Sequence, residues 1–152
     1  MIKDGSAAPD FTLLSDEGGE VTLSALRGKK VVLYFYPKDD TPGCTIQACD
    51  FRDATPAFEK LDAVVLGVSA DSVESHKKFK AKYGLTFPLL ADEDHRVSDA
   101  YGVWKERSMY GRKFMGIERS TFLIDENGTV AQAWRKVKPK GHAEMLEQVL
   151  GG

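Results

Sequence analysis

Cysteine is scarce in this chain, with two in 152 residues. Two cysteines cannot lace a small disulfide scaffold, and without paired histidines they supply no tetrahedral zinc site. They stand five residues apart, as Cys44 and Cys49, so the C-x-x-C of a dithiol redox pair is missing. No apolar run approaches a membrane span, and the opening Met1-Ile-Lys-Asp-Gly5 lacks the apolar core of a secretory signal. An excess of one charge is also lacking: the net charge is −2, which leaves no basic footprint for nucleic acid. Neither a G-x-S-x-G elbow nor a known cysteine-protease signature occurs. The expectation is a cytoplasmic protein, with no membrane or nucleic-acid partner, whose thiols are catalytic rather than structural.

The composition is that of an ordinary globular protein, 42% hydrophobic and 29% charged, and the length fits one domain over residues 1–152. Residues 7–23 read as two short strands around Gly18-Gly19, followed by a brief helical turn ending at Gly28. Lys30–Tyr36 and Ala63–Ser69 are nearly unbroken apolar strands, the pattern of a sheet covered on both faces. Ser72 caps an amphipathic helix that reaches Tyr83 and closes at Gly84; Phe87–Ala91 is a short strand, and a small helix covers Val97–Tyr101. The run Asp92-Glu-Asp-His95 is read as a polar helix start rather than a metal site, and His76 and His142 as surface or partly buried residues. Val103–Gly116 is read as a connection packed by Trp104 and Met115, the alternative being a loop that lines a pocket with Trp104 over it. Ile117–Asp125 and Val130–Trp134 flank Asn127-Gly128 and predict a hairpin. The final helix, Gly141–Leu150, turns Ala143, Leu146, Val149 and Leu150 inward. Strands alternating with helices, then a hairpin and a helix, predict an α/β fold with a central mixed sheet flanked by helices.

One stretch organises the rest: Tyr34-Phe-Tyr-Pro37-Lys-Asp-Asp-Thr41-Pro42-Gly43-Cys44-Thr-Ile-Gln47-Ala-Cys49. The strand stops at Pro37, which cannot donate to a central ladder. Thr41-Pro42 is a favourable helix start, with a hydroxyl at the N-cap and proline at the first position. Cys44 then falls in the first turn, where free N–H groups and the helix dipole favour negative charge, and the thiolate is the nucleophilic form of cysteine. On an intact helix Cys44 and Cys49 would lie about 8.6 Å apart at Cα and about 140° apart in direction. A disulfide needs a Cα separation below about 7 Å, so any bond between them requires the first turns to unwind. Pro56, further on, is expected to kink or break this helix.

Pro37-x-x-x-Thr41-x-x-Cys44 resembles the peroxidatic motif of the peroxiredoxins, and Thr41-Pro-Gly-Cys44-Thr-Ile-Gln-Ala-Cys49 is similar to the Q-type branch, the bacterioferritin comigratory proteins. Many relatives carry Glu at the position of Gln47. The resemblance implies a thioredoxin fold with an N-terminal strand extension. It implies a thiol-dependent peroxidase for hydrogen peroxide and organic hydroperoxides, working without haem or metal. Cys44 would become a sulfenic acid, Cys49 would resolve it as an intramolecular disulfide, and a thioredoxin-like dithiol would reduce that bond. The segment Arg119-Ser-Thr-Phe-Leu-Ile-Asp125 resembles the family segment whose arginine reaches the peroxidatic sulfur, which implies that role for Arg119. Thr41, Gly43 and Arg119 would bind the peroxide, and Pro37 would shield the sulfur. Relatives with an intramolecular resolving cysteine are often monomers. The rival readings are a thiol–disulfide oxidoreductase of the same fold and a non-enzymatic binding module with inert cysteines.

Overall fold

The computed structural model describes residues 2–151. Its centre is β3 (Lys30–Phe35), a run of Val, Leu, Tyr and Phe whose branched and aromatic side chains suit a buried pleated strand. Alternation divides these residues between two cores. Val31, Leu33 and Phe35 face one cluster; Val32, Tyr34 and Tyr36 face the other. Parallel to β3 runs β4 (Ala63–Ser69), and parallel to that β5 (Leu89–Ala91). On the other side β3 pairs antiparallel with β8 (Ser120–Ile124), which pairs with β9 (Val130–Arg135). The N-terminal strands β1 (Thr12–Ser15) and β2 (Glu20–Thr22) extend the sheet beyond β5, giving the order β2-β1-β5-β4-β3-β8-β9. The expected mixed sheet with an N-terminal extension is therefore present.

Three helices cover the face that carries Tyr34: α1 (Pro42–Lys60), α2 (Val73–Tyr83) and α4 (His142–Gly151) supply Phe51, Phe58, Phe79 and Leu146 to its cluster. The short α3 (Arg96–Ala100) and the 3₁₀ turn Leu23–Leu26 pack on the opposite core through Val97 and Leu23. The cap of α2 is as expected: Ser72 Oγ accepts from the Ser75 N–H, and Gly84 takes a left-handed φ of 61°.

Several expectations are corrected. The helix of Pro42 runs through Pro56 to Lys60 without a break, so the aromatic packing of Phe51 and Phe58 against the sheet offsets the lost N–H. Residues 104–117 are a two-stranded hairpin of their own, β6 (Trp104–Met109) and β7 (Arg112–Ile117), rather than a loop. Its turn, Tyr110-Gly111, has positive φ at both residues (52° and 76°), as a type I′ turn requires. Trp104 stacks on His95 at 4.1 Å and joins the core opposite the Tyr34 face, so it covers nothing near Cys44. In α4, Val149 is 40% exposed, and His142 takes an inward place instead. His76 is fully buried, not a surface residue. Asp92 caps α3 from a buried position, accepting from the Val97 and Ser98 N–H groups.

Gly67, in the middle of β4, is explained by its neighbours. A Cβ there would lie 3.1 Å from the Tyr34 ring and 3.1 Å from Leu89 Cδ2. The ring cannot retreat, because it stacks on Phe51 at 4.6 Å and meets Phe87 edge-on. Gly67→Ala is expected to cost about 1–3 kcal/mol of stability by overpacking, read as a lower urea midpoint at unchanged m-value.

Candidate active site

The site begins at the end of β3. The chain leaves Tyr36, passes the part-exposed Pro37, turns through Asp40 at a positive φ of 57° and starts α1 at Pro42. Proline thus occupies the first helical position and Cys44 the first turn, as the sequence predicts. Thr41 stands at the N-cap in extended conformation, but its side chain caps nothing: Oγ1 donates to the Lys38 carbonyl at 2.8 Å. The cap expectation is corrected there, and Thr41 keeps its lone pairs as acceptors.

Cys44 is 2% exposed, Cys49 is half-buried, and both are free thiols on the same unbroken helix. Arg119 reaches Cys44 from the entry of β8, the antiparallel neighbour of β3. It lies between β7 and β8, one residue before the strand, and its carbonyl accepts from the Val137 N–H at 2.9 Å. Its Nη2 donates to Cys44 Sγ at 3.3 Å, and its Nη1 to Gln47 Oε1 at 2.6 Å. Among the described residues Arg119 makes no salt bridge, so its charge faces the sulfur with only a neutral amide on its other arm. Gly43 makes room for this approach: a Cβ there would stand 3.1 Å from Arg119 Nη2 and 3.3 Å from Pro139 Cγ.

Two further titratable groups of this region, Tyr34 and His142, are held neutral. Burial, reinforced by negative charge at Cys44 and Asp39, pushes the Tyr34 phenol well above its ordinary value. Burial, reinforced by the Arg119 charge, pushes His142 down to about 4; its Nε2 lies 2.8 Å from Thr121 Oγ1. Two buried polar atoms beside this network have no partner among the described residues, Tyr34 Oη and Gln47 Nε2.

The structure therefore brings Cys44 and Gly43 together with Arg119, while Pro37 and Thr41 stand on the segment just before α1 and Cys49 lies further along it. Sequence reasoning gave Gln47 and Tyr34 no role in the site. Gln47 was legible in principle, since position i+3 from Cys44 shares its helix face.

The fold and this site define a class: a thioredoxin-fold protein that holds a cysteine in a helix's first turn beneath an arginine. The comparisons agree. The AhpC/TSA family model matches residues 5–133. The chain is 55% identical over 147 residues to peroxiredoxin Bcp of Bacillus subtilis, covering 96% of this chain and 94% of the relative. It is 55% identical over 141 residues to a putative peroxiredoxin bcp of Coxiella burnetii, with 93% of each chain covered. Among solved structures, Xanthomonas campestris peroxiredoxin Q superposes with a TM-score of 0.88 at 50% identity, over 93% of this chain and 89% of that one. A cysteine-to-serine variant of Xylella fastidiosa peroxiredoxin Q gives 0.94 at 42% identity, over 99% and 96%. Structures of the X. campestris bacterioferritin comigratory protein as trapped intermediate and ligand complexes address its alkyl peroxide reduction activity. This chain belongs to the AhpC/TSA family, within the Q-type peroxiredoxins, and is a thiol peroxidase.

Two expectations follow from this geometry. Gly43→Ala drives a methyl group against Arg119 and Pro139, and should slow alkylation of Cys44 by iodoacetamide at pH 7 by about tenfold, the worth of one charge-assisted hydrogen bond. His142 gives an acid limb to stability. Its folded value lies below the ordinary 6.5, so the unfolded chain takes up the proton first as pH falls. Stability is full above pH 6.5 and declines as pH drops toward 4, by on the order of 3 kcal/mol at most. In His142→Gln the urea midpoint should lose that part of its pH dependence.

Proposed function

We propose that Cys44 is the peroxidatic residue and Cys49 its resolving partner, in one domain over residues 1–152 that reduces hydrogen peroxide and organic hydroperoxides. The observation that carries this reading is the contact of Arg119 Nη2 with a buried sulfur in the first turn of α1. A permanent cation with a fork of donors stabilises negative charge on that sulfur and on an oxygen arriving beside it. The alkyl peroxide activity of the X. campestris relative supports the organic half of the substrate class.

In the first step the Cys44 thiolate attacks the terminal oxygen of the hydroperoxide. An S–O bond forms and the O–O bond breaks. The sulfur is oxidised by two electrons to the sulfenic acid, and the leaving oxygen departs as water or alcohol once it takes a proton. Charge growing on that oxygen meets the free N–H groups of Gly43 and Cys44 and the Arg119 guanidinium, donors already in place before reaction. Thr41 Oγ1, whose own proton is donated to the Lys38 carbonyl, accepts a hydrogen bond from the peroxide hydroxyl, whose proton stays on the oxygen that becomes the sulfenic acid. Pro37 limits water at the strand end. In the second step the first turns of α1 unwind and the Cys49 thiolate attacks the sulfenic sulfur. An S–S bond forms and hydroxide leaves as water. A thioredoxin-like dithiol then returns both cysteines to thiols by exchange. We take the working form to be a cytoplasmic monomer; among the described residues no helix is long and apolar enough to cross a membrane.

A thiol–disulfide oxidoreductase on this fold would need C-x-x-C and would reduce insulin without peroxide. The discriminating experiment is stopped-flow peroxide consumption. Cys44→Ser should lose turnover by more than about a thousandfold, the loss typical for an essential nucleophile. Cys49→Ser should consume about one equivalent and then stall with thioredoxin. Retained turnover in Cys44→Ser would end the assignment.

A further inference from the structure

His76 takes no part in the chemistry above, yet it is fully buried and both its ring nitrogens are occupied. Nε2 lies 2.9 Å from the Leu90 carbonyl oxygen, which can only accept, so Nε2 carries a proton. Nδ1 lies 2.7 Å from Asp39 Oδ2. With an acceptor at each nitrogen the ring holds two protons, and His76 is an imidazolium paired with the Asp39 carboxylate. Asp39 is bound on every side. It accepts from the Tyr36 hydroxyl at 2.6 Å and the Ser75 hydroxyl at 2.8 Å, while its own N–H donates to Asp71 Oδ2 at 2.8 Å. The next residue, Asp40, accepts from Lys82 Nζ at 2.8 Å and the Tyr83 hydroxyl at 2.7 Å, at the other end of α2. The 37–41 segment is therefore tied to both ends of α2. That segment carries Pro37 and Thr41 and leads straight into the turn that holds Cys44.

We propose that Asp39 and His76 are positioning residues whose ion pair clamps the 37–41 segment, holding Cys44 under Arg119 for peroxide attack and yielding when Cys44 moves to Cys49. The inference rests on the Cys44–Cys49 reading above and adds what governs the opening of α1. Because one partner is an imidazolium, the clamp depends on a proton. The groups that face His76 are Asp39 before α1, Asp71 before α2, the phenol of Tyr36 just past β3 at 3.4 Å, and the Leu90 carbonyl of β5. Burial disfavours the charge, but the hydrogen bond and attraction of Asp39, with Leu90 and Asp71, outweigh it and raise His76 above 6.5. The sign follows: the clamp is complete below pH 6.5 and is lost as pH rises through the raised value.

Amide exchange tests this directly in the reduced wild-type protein. Between pH 6 and pH 9, after correction for intrinsic rates, the Thr45, Ile46 and Gln47 amides should open about tenfold more often, the scale of one lost charge-assisted bond, while Phe51 stays protected. In Asp39→Asn and His76→Gln their opening should be high and independent of pH. After one equivalent of peroxide, the mass-resolved Cys44–Cys49 disulfide should form faster in both variants than in wild type at pH 6, with the gap closed at pH 9. A merely structural pair would lower the urea midpoint without changing the pH dependence of these three amides. Flat exchange in wild type overturns the proposal, and decides it even if neither variant folds. Turnover in Cys44→Ser, or the absence of a Cys44–Cys49 bond, would instead remove the reading beneath it and leave the exchange result standing.

Discussion

A guanidinium that has no carboxylate partner among the described residues, held 3.3 Å from a buried sulfur, is the constraint on which the rest of the site depends. Such a cation seeks negative charge, and the arrangement leaves the sulfur as the place to find it. Gln47 holds one arm of Arg119 through a neutral oxygen, so it fixes direction without cancelling charge. A glutamate there would fix the same arm and compete with the sulfur. The Tyr34 and Tyr36 phenols are kept protonated by burial, which removes two potential anions from the same region. His142 is kept neutral by burial and by Arg119 itself, so no second cation crowds the first.

The sheet makes this contact possible between residues 75 apart in sequence. Cys44 reaches the site because β3 ends where α1 begins; Arg119 reaches it because β8 pairs antiparallel with β3 and starts at the same edge, Ser120 opposite Phe35. The register is fixed by a core on each face, since a slip of one residue would turn Val32 and Tyr34 into the wrong cluster. The geometry of a 3.3 Å contact is thus inherited from apolar packing well beneath it.

Much of this was legible in the residues. Thr41-Pro42 announced the helix and placed Cys44 in its first turn, and the apolar runs Lys30–Tyr36 and Ala63–Ser69 announced two central strands. What stayed hidden had local signals that pointed elsewhere. Pro56 is a breaker by propensity, and only the burial of Phe51 and Phe58 on the sheet keeps the helix whole. The β6–β7 hairpin turns on Tyr110, a residue rarely found at positive φ, and lacks the Asn-Gly or Asp-Gly that would mark it. His76 sits at an amphipathic helix position like many surface histidines; its partner Asp39 is 37 residues away and joins it only through the fold.

The conflict between the two cysteines finds its resolution in how α1 is attached. Its first two turns bury only small or polar groups, Cys44, Gln47 and Ala48; Cys44 and Gln47 are hydrogen-bonded to Arg119, and the ties of Asp39 and Asp40 lie just upstream. From Phe51 onward the attachment is aromatic: its ring stacks on Tyr34 and meets Phe58, Phe87 and His142. Polar contacts exchange readily for water, whereas exposing Phe51 would forfeit the burial of a large ring. Unwinding that starts at Pro42 therefore has a natural stop one turn beyond Gln47. Cys49 lies between the labile part and that stop, half-buried, so on the proposed reading the helix can open as far as Cys49 while the core beneath Phe51 stays shut.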